Sequence, residues 1–179
     1  MLSDDSEPKQ PPRDLSAWTV DRLEALTTTR QGRGLELIRT VAQSHACQPD
    51  ESRSARLRWA KLSLAADERL PGGTPWEDTR KACQDFALRT WVIGHLGPGA
   101  DRDWDPGALA ADTLAALALD PDQALVRSAD WRTLPLEEIG ELRRHKNLTA
   151  HLDRLMGFAQ EGPAKDRLVA WAEVRARLP

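Results

Sequence analysis

Apolar residues recur at spacings of three and four from residue 16 onward, interrupted by polar runs that hold proline or glycine. No stretch alternates strictly and β-branched residues never cluster, so the pattern predicts helices and no strands. Val20, Leu23 and Leu26 make the first stripe, which starts at Ser16 or Thr19 and ends at the Gln31-Gly32-Arg33-Gly34 break. Leu35, Ile38, Val41, Ala42 and His45 make the second, stopped by Pro49. Asp50 is placed to cap a third helix, whose face is Ala55, Trp59, Leu62, Ala66 and Leu70 on one side. Pro71-Gly72-Gly73 ends it.

The clearest start follows at Thr74-Pro75-Trp76-Glu77. Thr74 can accept from the backbone N–H three residues on, Glu77 can reach back to the cap, and Pro75 sits where its missing N–H costs nothing. This helix carries Cys83, Phe86, Ala87, Thr90 and Trp91 and ends among Gly94, Gly97 and Gly99. Asp105-Pro106 and Asp120-Pro121 open two short helices over 106–119 and 121–131, with Gln123 completing a box-like pair with Asp120. Pro135 opens another with Glu137 and Glu138 in its first turn. Asn147 is placed to cap a helix bearing Leu148, Leu152, Leu155, Met156 and Ala159, and Gly162-Pro163 begins the last, with Ala164, Leu168, Trp171 and Leu178 inward. The expectation is an all-α protein: a single compact bundle of about eight or nine short helices over 16–179, behind a flexible tail over 1–15 that holds Pro8, Pro11 and Pro12 among polar residues. The prolines keep no fixed period, which argues against a solenoid.

Composition narrows the setting. At 179 residues, 40% of them hydrophobic and 30% charged, the chain has the size and balance of one globular domain. No apolar run reaches the roughly 18 residues of a membrane span, and the amino terminus carries Asp4 and Asp5 where a secretory leader carries basic residues. A cytoplasmic protein is expected. Arginine outnumbers lysine and alanine and leucine abound, as in GC-rich bacterial genomes. Cys47 and Cys83 fit neither a zinc spacing nor a disulfide framework and read as buried free thiols. The tryptophans, roughly one per helix, read as core or helix-end packing, and a net charge of -3 argues against a surface devoted to nucleic acid.

Few constellations carry chemistry. Asp101, Asp103, Asp105 and Asp112 occupy positions 1, 3, 5 and 12 of a loop between helices, which resembles a calcium-binding EF-hand loop. Pro106 stands where that loop needs glycine and Asp112 is shorter than the usual glutamate, so Asp105 is read as a cap and the other acids as solvated. Asp67-Glu68, Glu77-Asp78 and Glu137-Glu138 read as solvated helix charge. His45, His95, His145 and His151 are dispersed, and Glu141 with His145 lacks the partners of a di-metal site. No nucleophile, base and orienter set is legible, and neither a cofactor nor a metal is expected.

Residues 134–158 resemble a helix-turn-helix: Leu136, Ile139 and Leu142 on a first helix, a turn at Arg143-Arg144-His145-Lys146, then a second helix from Leu148. The resemblance implies phosphate contacts from Arg143, Arg144 and Lys146 and base contacts from Asn147, Thr149 and His151. Without glycine in the turn or strands after it, packing of a helix pair explains the leucines as well. The function expected is therefore a non-catalytic helical protein-interaction or accessory module. Its partner is another protein, met by the densest basic cluster, Arg143, Arg144 and Lys146. A DNA-binding regulator built on 134–158 is the alternative, and a small helical enzyme with a site assembled from distant residues the second.

Overall fold

The computed structural model describes residues 18–179, and the predicted tail, with Ser16 as a possible helix start, lies outside them. The described residues form nine α-helices and no strand: α1 Val20–Thr27, α2 Arg33–Ala46, α3 Arg53–Glu68, α4 Pro75–Leu96, α5 Pro106–Ala116, α6 Pro121–Ser128, α7 Leu136–Leu148, α8 Leu152–Met156 and α9 Pro163–Arg175. Single 3₁₀ turns at Arg102–Trp104 and Trp131–Thr133 precede α5 and α7, so the helix expected over 121–131 stops short of Trp131. The all-α reading stands. None of these helices is long and apolar enough to cross a membrane.

Most starts are where the caps put them. Thr19 accepts from the Arg22 N–H, Asp105 from Gly107 and Ala108, and Thr74 forms the full box with Glu77. A cap of this kind stabilises a helix by about 1 kcal/mol. Two details differ. Ser52, not Asp50, caps α3, because its hydroxyl lies one residue before the helix and reaches the Ala55 N–H. Asp120 accepts from the Asp122 N–H, one residue earlier than the box with Gln123 requires.

The buried apolar side chains fall into two clusters. The first holds Leu23, Leu35, Ile38, Val41, Trp59, Leu62 and Leu70 from the α1–α3 region, together with Leu88 and Val92 of α4 and Trp104. The second holds Phe86 and Ile93 of α4 with Leu109, Leu142, Leu152, Leu155, Leu168 and Trp171. α4 therefore serves both, which is why a single stripe through Cys83, Phe86, Ala87, Thr90 and Trp91 misdescribes it. Ala87 is exposed, whereas Leu88, Val92 and Ile93, off that stripe, are buried.

Cations from neighbouring segments close the helix C-termini. Arg69 donates to the Thr27 carbonyl and, at 3.1 Å, to that of Thr28 after α1. Arg56 reaches Ala46 of α2 at 2.9 Å, Lys81 reaches Leu70 after α3 at 2.8 Å, and Arg53 reaches Leu96 of α4 at 2.7 Å. α7 and α9 exchange the favour: Arg175 donates to the Thr149 carbonyl at 3.0 Å and Lys146 to that of Leu178 at 2.8 Å. The last carbonyls of a helix have no intrahelical donor and carry the negative end of its dipole, so a cation satisfies both deficits at once.

Candidate functional site

The basic residues singled out in the sequence do not lie in a turn. α7 runs unbroken from Leu136 to Leu148, and Arg143, Arg144, His145 and Lys146 belong to its last two turns. No residue in that stretch breaks a helix, and Leu142, His145 and Leu148 bury a continuous stripe beneath it. Asn147 lies inside α7 and caps nothing, and the second helix of the presumed motif shrinks to the five residues of α8. Thr149 is 0% exposed and donates to the Lys146 carbonyl, while the His151 ring is turned inward to Thr113 Oγ1 at 3.2 Å. The Thr149 hydroxyl and His151 Nε2 are thereby turned to the protein itself.

The basic cluster also divides by task. Lys146 spends its ammonium on the Leu178 carbonyl, and the Arg144 guanidinium lies over Gly140 of its own helix. Arg143 is exposed, one turn before Asn147 on the same side of α7.

Beside Asn147 a groove of about 290 Å³ opens between the first half of α4 and the end of α7. Trp76, Thr79, Arg80 and Cys83 of α4 form one wall, their spacing of three and four placing them on one face, and Asn147 and Ala150 form the other. Trp76 is 57% exposed, against the expectation that the tryptophans are packed. Trp59, Trp104 and Trp171 are buried, and Trp18, Trp91 and Trp131 half-buried. Burial pushes the Cys83 thiol up, so it stays protonated and acts as an apolar wall. Thr79 donates its hydroxyl to the Pro75 carbonyl, which leaves the Arg80 guanidinium, the Asn147 amide and the Trp76 indole N–H as the side-chain donors of the groove. Cys83 is half-buried and Cys47 exposed at the end of α2, so neither is the buried thiol expected.

No family model, no curated protein and no solved structure matches this chain.

A second concentration of polar groups lies where α2, α3, α4 and α5 meet, contributed by residues far apart in sequence. Arg39 pairs with Asp67 at 3.1 Å and with Gln84, so Asp67 is buried in an ion pair and not solvated helix charge. Arg89, 4% exposed, pairs with Asp85 at 3.4 Å and Asp112 at 2.8 Å and donates to the Asp103 carbonyl at 3.0 Å. Burial pushes the Asp85 carboxyl up, with Arg89 opposing it. Burial also pushes Asp112 up, but hydrogen bonds from Arg89 and Arg102 outweigh it and hold that carboxyl below its ordinary range. The space beside Arg39 and Asp85 is about 10 Å³, about one water and no substrate. Arg39 thus joins α2 to α3 and α4, with its Nε left buried and unpartnered, while Arg89 fastens the segment before α5 to α4.

That network accounts for the acids of the calcium-like loop. Asp101 pairs with Lys61, Asp105 caps α5 and Asp112 is held by Arg89 and Arg102. Asp103 lies 3.6 Å from Lys61. Among the described residues no three His, Cys, Asp or Glu side chains gather as a metal set. Sequence reasoning missed Trp76 and Arg80 as a site. The available signal was a tryptophan in the first turn of a capped helix whose next residues on that face, Thr79 and Arg80, are polar.

Proposed function

We propose that this protein is a non-catalytic helical interaction module that holds a segment of another protein in the groove between α4 and α7. The observation that carries the reading is Trp76, a large ring left uncovered beside a groove lined by Cys83, Ala150 and Asn147. Exposed aromatic surface beside a concavity marks protein contact sites, and tryptophan and arginine dominate their binding energy. Of the sequence-derived set, the partner-facing role is assigned to Arg143, which is exposed one helical turn from Asn147 of the groove wall, whereas Lys146 is engaged by the Leu178 carbonyl. The setting that goes with this reading is a bacterial cytoplasm, in keeping with the arginine-rich composition and two free cysteines.

The test begins with the protein that co-purifies from the native host, once identified and produced separately. Trp76→Ala weakens its binding by roughly 30-fold or more, the size of a central aromatic contact. Arg143→Ala has a smaller effect that fades with added salt. Both variants keep the helical circular dichroism spectrum. Unchanged affinity in Trp76→Ala refutes the reading.

A further inference from the structure

Resting on the interaction reading, we infer that the groove takes an acidic peptide segment with a single apolar or aromatic anchor, its side chain inserted beside Trp76 and its carboxylates on Arg80 and Arg143. Three features fix that chemistry. The volume, about 290 Å³, lies just below the roughly 300–1,000 Å³ of small-molecule sites, which suits one or two side chains. Trp76, Cys83 and Ala150 supply an apolar floor and wall for the anchor. Among the described residues, no carboxylate lies within ion-pairing distance of Arg80 or Arg143, although the chain as a whole is acidic at -3. Two planar guanidinium groups on facing helices match carboxylates, which they bind in bidentate geometry.

Arg80 is the one charged side chain among the residues that line the groove, and Arg143 lies one helical turn from Asn147. A peptide that carries its acids to one side of its anchor can meet both arginines, whereas the net charge of -3 disfavours the recurring phosphates of a nucleic acid.

Random dodecapeptides displayed on phage and selected on the full chain, each winner then measured on Trp76→Ala, test this directly. The expected winners carry aspartate or glutamate to one side of a single aromatic or leucine residue. A synthetic winner then loses at least tenfold in affinity on the Arg80→Glu, Arg143→Glu double variant, and its binding to the wild type weakens with salt. Ala150→Trp, which fills the groove from the α7 side, abolishes binding without touching Trp76, provided its circular dichroism is unchanged. Winners that are basic or uncharged, yet still lost on Trp76→Ala, overturn the acidic occupant and leave the groove as an interaction site. Peptides that bind Trp76→Ala as well as wild type, or no selected peptide at all, overturn both. A short DNA duplex that binds through Trp76 and Arg80 more tightly than any selected peptide also overturns the inference.

Discussion

Every histidine of the chain lies against an aromatic ring. His45 stacks on Trp59 at 4.3 Å between centroids, His95 on Trp91 at 4.5 Å, His145 on Trp171 at 5.4 Å, and His151 is tilted against Phe86 at 5.3 Å. These rings act as packing surfaces with one polar edge, a role their dispersal in the sequence does not reveal. His151 has an energetic consequence. Thr113 already donates its hydroxyl to the Leu109 carbonyl, so the His151 Nε2–H must be the donor toward Oγ1, a bond that a neutral and a charged ring make alike, and burial is what disfavours the charge. Burial pushes its pKa down to about 4. An unfolded chain has this group near pH 6.5, so between about 6.5 and 4 the unfolded state binds a proton that the folded state refuses. The stability His151 contributes is full above that window and falls as pH drops through it. We expect the wild type to lose of order 2 kcal/mol more than His151→Gln between pH 7 and 4.5, measured by urea denaturation. Parallel pH profiles for the two proteins would contradict this.

At the scale of the helix, starts and ends are secured differently. The N-terminal caps are local, drawn from Thr19, Ser52, Thr74, Asp105 and Asp120 within two or three residues of the N–H groups they satisfy, and so most can be read from the sequence. The ends are satisfied across the fold, with Arg69 reaching back 42 residues to Thr27 and Lys146 forward 32 to Leu178. No window of sequence displays that pairing. It also separates residues that look alike: Lys146→Ala is expected to cost about 1 kcal/mol, having lost a charge-assisted bond at a helix end, whereas Arg143→Ala stays within about 0.5 kcal/mol. Chemical denaturation of the two variants checks this, and equal midpoints would mean that the Lys146 contact carries no weight.

For the molecule as a whole, α4 is the shared member. It sends Leu88 and Val92 into the first apolar cluster and Phe86 and Ile93 into the second, while Arg89 ties the segment before α5 to its flank. Two clusters built on one helix should lose their structure together, because unfolding either strips α4 of half its burial. Trp59 reports on the first cluster and Trp171 on the second. Difference fluorescence against Trp59→Phe and Trp171→Phe is expected to give coincident urea transitions. Separated midpoints would divide the chain into two units and contradict the single domain expected from its length.

The sequence by itself determined what depends on neighbours along the chain: the helical class, the stripes of α1, α2 and α3, the Thr74 box and the proline openings of α5, α6 and α9. The reason is that helix periodicity and N-caps involve residues within about four positions of one another. Only the tertiary structure decided that α7 continues through Arg143 to Lys146, since a run of good helix formers breaks or continues according to what packs beneath it. The same holds for Asp67, buried because Arg39 arrives from another helix, and for Trp76, exposed because nothing does. The groove joins residues of α4 to Asn147 and Ala150 some seventy positions away. Its chemistry exists only once α4 and α7 lie side by side.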